Sequence, residues 1–309
     1  MKKKLLSMLM FAALLTGAVF LIDPTESHAA TATIKLGETK AAVTTKLGKE
    51  KRVSANEYKL NWYTHHNSNK DYYMVSYLND KVTGIYTMDT DYAIFGIRVG
   101  STLTQVKKAL GTPIKGILKG NTNYLVTNDS KMQTFYKNGA YITIFFDSYN
   151  DGKVTGIQVV SSTMEKRKAA RYGVSSTSLR SGFELQLFDL ANADRVKSGL
   201  KALAWSEKAR TSSRLHSQDM VTNKFFSHTN LKGKTPFDRM KAAGISYWTA
   251  GENIAYGQPS SIFAHESLMN SIGHRNNILN KNYTHLGTGV AFKSGSYTPY
   301  YTQNFYKVR

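Results

Sequence analysis

The sequence predicts an α+β protein of two folded parts in tandem, and three observations carry that reading. Residues 31–160 repeat one pattern of helix and strand signals twice, residues from about 183 change to longer helical periodicity followed by late strands, and a polar, basic stretch at 161–181 separates them. The chain's 309 residues are enough for each part to bury its own core, and 41% hydrophobic content with 19 Tyr and 14 Phe fits globular structure.

The first segment reads as an export signal. Lys2, Lys3 and Lys4 precede an apolar run from Leu5 to Ile22, and Ser27-His28-Ala29-Ala30 supplies the small residues a signal peptidase needs. Residues 1–29 are therefore expected to be a signal peptide cleaved after Ala29. The apolar run exceeds a usual signal core, so retention as a membrane anchor is the alternative. The chain has no cysteine, so its stability must come from packing rather than disulfides.

In the duplicated region, Ile34-Lys35-Leu36-Gly37-Glu38-Thr39, then Val43 and Leu47-Gly48, recurs as Ile97-Arg98-Val99-Gly100-Ser101-Thr102, then Val106 and Leu110-Gly111. Each copy reads as a short helix capped by a hydroxyl residue and stopped by glycine. Tyr72 to Leu78 and Tyr141 to Phe146 alternate with period two and read as strands, followed by turns at Asn79-Asp80-Lys81 and Asn150-Asp151-Gly152-Lys153. Each copy then ends in the same tetrapeptide, Val82-Thr83-Gly84-Ile85 and Val154-Thr155-Gly156-Ile157. Residues 31–160 are thus an α+β domain of two similar units with no catalytic constellation. His65-His66 reads as a solvated loop pair without a third ligand, and Tyr58, Tyr63, Tyr72, Tyr73 and Tyr77 read as sheet packing.

Residues 161–181, with Lys166-Arg167-Lys168 and a serine-rich run at 174–178, read as a linker of limited order. The second domain is expected over 182–309. It opens with a helix from Phe183 to Leu200 and a second, capped by Ser206, that ends near Asn223, and it closes with strands around Gly287 to Phe292 and Tyr297 to Phe305.

The chemistry lies in this domain. His216 shares a helix face with Ala209, Ser212, Ser213 and Met220 and reads as a packing histidine. His228 follows Phe225-Phe226-Ser227 at an apolar-to-loop junction, where a histidine commonly lines a cleft. Glu252, between Gly251 and Asn253 at the start of an apolar segment, reads as a partly buried carboxylate that needs a histidine or metal partner. His274 follows Gly273 and leads a short turn, and Arg275 offers a guanidinium to a ligand's phosphate or carboxylate, or to an acid within the domain.

The order and spacing of Phe-Phe-Ser-His, Gly-Glu-Asn-Ile-Ala, Asn-Ser-x-Gly-His-Arg-x-Asn-Ile-Leu and Leu-Gly-x-Gly-Val-Ala, over about residues 183 to 307, resemble the CAP superfamily. That superfamily takes in cysteine-rich secretory proteins, antigen 5 and plant pathogenesis-related proteins, and the likeness is to its bacterial, cysteine-free branch. The duplicated region resembles the CAP-associated domain that precedes such modules in Gram-positive bacteria. The resemblance implies an α-β-α sandwich with a central cleft of two histidines and two acids, sometimes holding a divalent metal such as zinc. Carried over, the histidines are His228 and His274 and the first acid is Glu252. The second acid's place falls near Ser271, the nearest carboxylate is Glu266, and the usual tryptophan is Leu268. The expected cleft is His228, Glu252, His274, Asn253, Ser271, Glu266 and Arg275. A metal would rest on His228 and His274, with Glu252 as a further ligand or a general base.

The net charge of +20 is spread over both halves and draws the chain towards anionic cell-wall polymers or lipid headgroups. No aromatic-interleaved motif accompanies it, so nucleic acid is not expected. With one cleft acid missing, the favoured reading is a secreted or envelope-associated, non-enzymatic module that binds a small apolar or amphiphilic ligand or a divalent metal. A metal-assisted peptide or cell-wall hydrolase and a structural coat or matrix component are the alternatives.

Overall fold

The two copies of the repeat build the two halves of one antiparallel sheet. In the computed structural model, which describes residues 33–309, each copy opens with the expected short helix, α1 (Lys40–Leu47) and α2 (Leu103–Leu110), N-capped by Thr39 and Thr102 and followed by Gly48 and Gly111. The expected export signal lies outside the described residues. After α1 come β1 (Arg52–Ala55), β2 (Asn61–Asn67), β3 (Lys70–Leu78) and β4 (Lys81–Thr87); after α2 come β5 (Gly116–Lys119), β6 (Thr122–Leu125), β7 (Met132–Lys137), β8 (Ala140–Asp147) and β9 (Lys153–Ser161). The seven-stranded order is β1-β2-β3-β4-β9-β8-β7, with β5 and β6 forming a separate hairpin.

The repeated Val-Thr-Gly-Ile tetrapeptides fall on β4 and β9, the two strands that join the halves, where Ile85 faces Val159 and Thr87 faces Ile157. Alternation then separates two cores. Val75, Ile85, Ile142 and Ile157 pack with Val43 and Val106 of the two helices, while Trp62, Met74, Tyr86 and Phe145 face the second domain. The glycines of the tetrapeptide have a steric reason on that second face: a Cβ at Gly84 would meet Met164, and one at Gly156 would collide with Glu266 of the second domain.

Tyr58, Tyr72 and Tyr73 are buried, and Tyr63 and Tyr77 meet edge to face at 5.0 Å, so all five are in packing positions. The histidine pair departs from expectation. It lies on β2, with His65 buried and its Nδ1 3.0 Å from the Gly48 carbonyl, and with His66 stacked on Tyr72.

The segment 161–181 is also not a linker of limited order. Ser161 caps α3 (Ser162–Glu165), Arg167 Nε donates to the Tyr58 carbonyl, and Tyr172 Oη donates to the Gly257 carbonyl at 3.0 Å. Ser176 then caps α4 (Thr177–Lys197), so this helix starts before the boundary expected at 182. The serines and basic residues that suggest a solvated tether serve instead as caps and backbone clasps.

The second domain continues with β10 (Ala204–Trp205), α5 (Glu207–Asn223), α6 (Pro236–Ala242), β11 (Tyr247–Tyr256), α7 (Ser261–Met269), α8 (Ile272–Ile278), β12 (His285–Phe292) and β13 (Pro299–Val308). Its sheet runs β10-β12-β13-β11, with α5 against one face and α4 and α7 on the other, the expected α-β-α sandwich. Helix α4 serves both domains. Leu179, Phe183, Leu187 and Ala191 enter the sandwich core, while Leu190 and Ala193 pack with Trp62 and Tyr86 of the N-terminal sheet.

Polar contacts join the domains around that apolar seam: Arg52 to Asp189 at 2.7 Å, Arg275 to Asp147 at 3.0 Å, and Tyr86 Oη donating to Glu266 Oε1 at 2.7 Å. Burial pushes Asp189 up to about 6 and Glu266 up to about 7. Because Glu266's folded pKa lies above its ordinary value of 4.5, the folded state holds the extra proton between those values, and stability falls as pH rises through that window. Glu266→Gln keeps an acceptor for Tyr86 and removes the titration. Urea unfolding at pH 5 and pH 8 should show the variant losing less stability with rising pH, by up to about 3 kcal/mol, with a residual slope from Asp189 and from Glu57, which burial also pushes up to about 7.

Candidate ligand and metal cleft

The cleft forms at the exposed edge of the sandwich sheet, where adjacent residues of β11 reach into opposite layers. Glu252 pairs with Asn304 across the sheet, and Asn304 Nδ2 donates to Ser212 of α5, so Glu252 faces the α5 side. Asn253 faces the other way, and its Nδ2 donates to the His274 carbonyl and to Gln303 Oε1. Asn277 of α8 closes this arrangement by donating to the Glu252 carbonyl and to Asn253 Oδ1. The Glu-Asn pair thus fastens the loop after α5 and helix α8 to one edge strand.

The Glu252 side chain is 1% exposed, and both its oxygens are engaged. Arg239 Nη2 of α6 donates to Oε2 at 2.7 Å, and His228 Nδ1 donates to Oε1 at 2.9 Å. His216, on α5, lies 3.9 Å from the same oxygen but bonds the Ser227 carbonyl through Nε2 at 3.0 Å. Burial lowers the pKa of His216, so it serves as a neutral support for the loop that carries His228, in keeping with a packing role. Arg239 also donates to the His228 carbonyl and so holds both the side-chain acceptor and the main chain of that loop.

His274 enters from α8, its Nδ1 2.8 Å from Ser271 Oγ. Burial lowers its pKa. Each ring therefore spends Nδ1 on a protein partner and retains Nε2.

The structure sets His228 against Glu252 and His274 against Ser271, with Asn253 joining β11 to the His274 backbone, and it removes two expected members. Glu266 is buried beneath Tyr86 at the domain interface, because α7 turns it towards the N-terminal sheet; Ser271 stands at the fourth position instead. Arg275 pairs with Asp147 and lies over Tyr149 at 5.4 Å, so it too serves the interface. Leu268 is a core residue. Two contributors escaped the sequence reading, Arg239 and Asn277. The available signal for Arg239 was the demand that a buried Glu252 have a cation, met here from α6, whose Thr235 capping box places Arg239 one turn in.

Such a cleft on such a sandwich, preceded by a duplicated sheet domain, defines a bacterial CAP module. Residues 36–170 match the CAP-associated N-terminal family and residues 188–305 the cysteine-rich secretory protein family. The chain is 30% identical over 291 residues to the Bacillus subtilis membrane protein YlbC, covering 88% of this chain and 82% of that one. It is 45% identical over 143 residues to B. subtilis YkwD, covering 46% of this chain and 53% of that protein. Its fold matches an extracellular SCP-domain protein of Bacillus anthracis at a TM-score of 0.76 and 24% identity, covering 90% of this chain and 96% of that one. A cysteine-rich secretory protein of Staphylococcus aureus matches at 0.69 and 17%, covering 88% and 91%. The chain belongs to the cysteine-rich secretory protein family, in the arrangement that carries a CAP-associated N-terminal domain.

Removing Glu252 would leave Arg239 and His228 facing each other without an anion. Glu252→Ala should cost about 3 kcal/mol in urea unfolding, and Ser271→Ala, which removes one neutral hydrogen bond, about 1 kcal/mol or less.

Proposed function

We propose that the chain is an exported, envelope-associated binding protein whose cleft takes a divalent cation, or the polar head of a small amphiphilic ligand, at the Nε2 atoms of His228 and His274. The observation that carries this reading is the engagement of Glu252. With Arg239 on one oxygen and His228 on the other, it is neither a free ligand nor a free base. It acts through His228: a carboxylate on Nδ1 sets the tautomer and directs the Nε2 lone pair outward, as carboxylates behind metal-bound histidines do.

The donor set suits an exchangeable ion better than a closed structural site. Two imidazoles are present, but among the described residues no three His, Cys, Asp or Glu side chains gather as metal ligands. A bound cation would supply Lewis acidity to a ligand oxygen. Hydrolysis is less well supported, since the fourth position carries Ser271 and the one acid is committed to Arg239.

An apolar wall for an amphiphile stands on the same sheet face. Tyr256 and Tyr300 lie along β11 and β13 from Glu252 and Asn304, with centroids 5.2 Å apart, and Phe226 lies 4.7 Å from Tyr256. Export and envelope association rest on the names of the relatives, one a membrane protein and one an extracellular protein, and on the net charge of +20, which favours anionic polymers and headgroups.

Calorimetric titration with Zn²⁺ should show binding that His228→Ala or His274→Ala weakens at least about tenfold and that Glu252→Gln weakens by about 10- to 100-fold. Release of fragments from peptidoglycan, abolished by His228→Ala, would overturn the non-enzymatic reading.

A further inference from the structure

The N-terminal sheet is wider than the helices that cover it, and its composition changes where the cover ends. One cross-strand row on the face towards the second domain reads Met74, Tyr86, Gln158, Thr143 and Thr134, from β3 to β7. Met74 and Tyr86 lie in the apolar seam with Leu190, Ala193 and Ile262. Gln158, Thr143 and Thr134 lie beyond it and face a cavity of about 460 Å³ whose other walls are the β5–β6 hairpin, the turn at Gly257–Pro259 and the outer side of α7. The volume falls in the range of sites for small ligands.

This polar row is buried, Gln158 to 3% exposure and the two threonines to 5% each. Thr134 and Thr143 bond each other at 3.1 Å, but the Gln158 Nε2 has no partner in the chain. Gln258, in the same lining, has its Oε1 likewise unpartnered. A buried polar atom without a partner is destabilising, and an unpartnered donor and an unpartnered acceptor in one lining complement the two polar groups of a secondary amide.

The remaining walls limit which amide. Met132, Val160 and Phe263 supply apolar surface. Of the lining's aromatic rings, Tyr58 lies under the Lys168 ammonium at 4.7 Å, Tyr141 against Tyr136 at 5.0 Å, Phe263 against Phe145 at 5.2 Å and Tyr256 against Tyr300 at 5.2 Å, and Tyr124 of the hairpin adds a fifth. Lys119 and Lys168 both pair with Glu165, which leaves Lys131 and Arg171 as the exposed cations of the lining. Asp129, also in the lining, turns Oδ1 to the backbone amides of Lys131 and Met132.

We infer that this interdomain cavity is a second binding site, distinct from the histidine cleft, for a short peptide with a free carboxylate. Its backbone amide lies between Gln158 and Gln258, its apolar side chains against Met132 and Phe263, and its carboxylate at Lys131 and Arg171. Binding there bridges the β5–β6 hairpin to the second domain.

The test is calorimetry on the full chain with N-acetylated aliphatic tripeptides as free acids, the same peptides as C-terminal amides, and N-acetylglucosamine oligomers. The free acids should bind, the amides at least about tenfold more weakly, and Gln158→Leu should weaken the free acids by about tenfold. Ser267→Trp, which places a large ring in the cavity, should abolish binding, while His228→Ala should leave it unchanged. If Ser267→Trp fails to fold, Gln158→Leu alone decides. The inference is overturned if no free acid binds, if acids and amides bind alike, if Gln158→Leu binds as tightly as the parent chain, or if only the oligomers bind.

Discussion

The burial of α4 between two sheets is the constraint on which the rest of the fold depends. This helix has 21 residues, and its buried positions include Glu184, Gln186, Asp189, Asn192, Asp194 and Arg195. A helix so polar is not stable as a layer unless each group finds a partner, and here the partners come from every neighbouring element. Glu184 takes Arg214 of α5 and the Val290 amide of β12; Gln186 reaches Ser54 and Ala55 of β1; Asp189 takes Arg52; and Asp194 takes His265 of α7. Asn192 closes both hydrogen bonds of Leu203. Because Gln186 and Asp189 find partners in the N-terminal sheet and the others in the second domain, α4 as a whole is not satisfied by one domain alone.

The cleft inherits its geometry from this arrangement. Arg195 donates to the carbonyls of Ile278 and Asn280, which holds the C-terminal end of α8 from behind. Asn253 and Asn277 hold its other side against β11, so His274 stands on a helix fastened at two places. His228 is on a loop, but Arg239 and His216 anchor that loop by its carbonyls at His228 and Ser227. One ring is thereby set against the Glu252 carboxylate and the other against the Ser271 hydroxyl, each on a fastened piece of backbone.

The sequence made the local elements legible and the long-range pairings obscure. Hydroxyl caps at Thr39, Thr102 and Ser206, glycine stops and period-two strands are decided by neighbours in the chain, and they stand where they were expected. Glu252, His228 and His274 were legible because their motifs are contiguous. The fate of Glu266 was not, since its carboxylate is placed by Tyr86, 180 residues earlier. Arg275 misled for the same reason, its acid being Asp147 on a hairpin of the other domain. The stretch at 161–181 has the composition of a solvated tether, and only the positions of the Tyr58 and Gly257 carbonyls turn its polar groups into clasps.

A hydroxyl at Ser271, where the resemblance leads one to expect an acid, bears on the chemistry open to the cleft. A carboxylate behind each imidazole would give two bases, one of which could accept a proton while the other held charge. Here the single carboxylate is balanced by a guanidinium that cannot give up its proton, and His274 leans on a neutral hydroxyl while burial disfavours its charged form. Of the two rings, His228 is held with its Nε2 lone pair outward by the carboxylate on Nδ1, which in the proposed role suits accepting a cation or a hydrogen-bond donor rather than shuttling protons. Arg239 satisfies Glu252 within the chain itself, so the buried carboxylate needs no ligand to offset its charge, and in the proposed binding role occupancy of the cleft would depend on the ligand's own affinity.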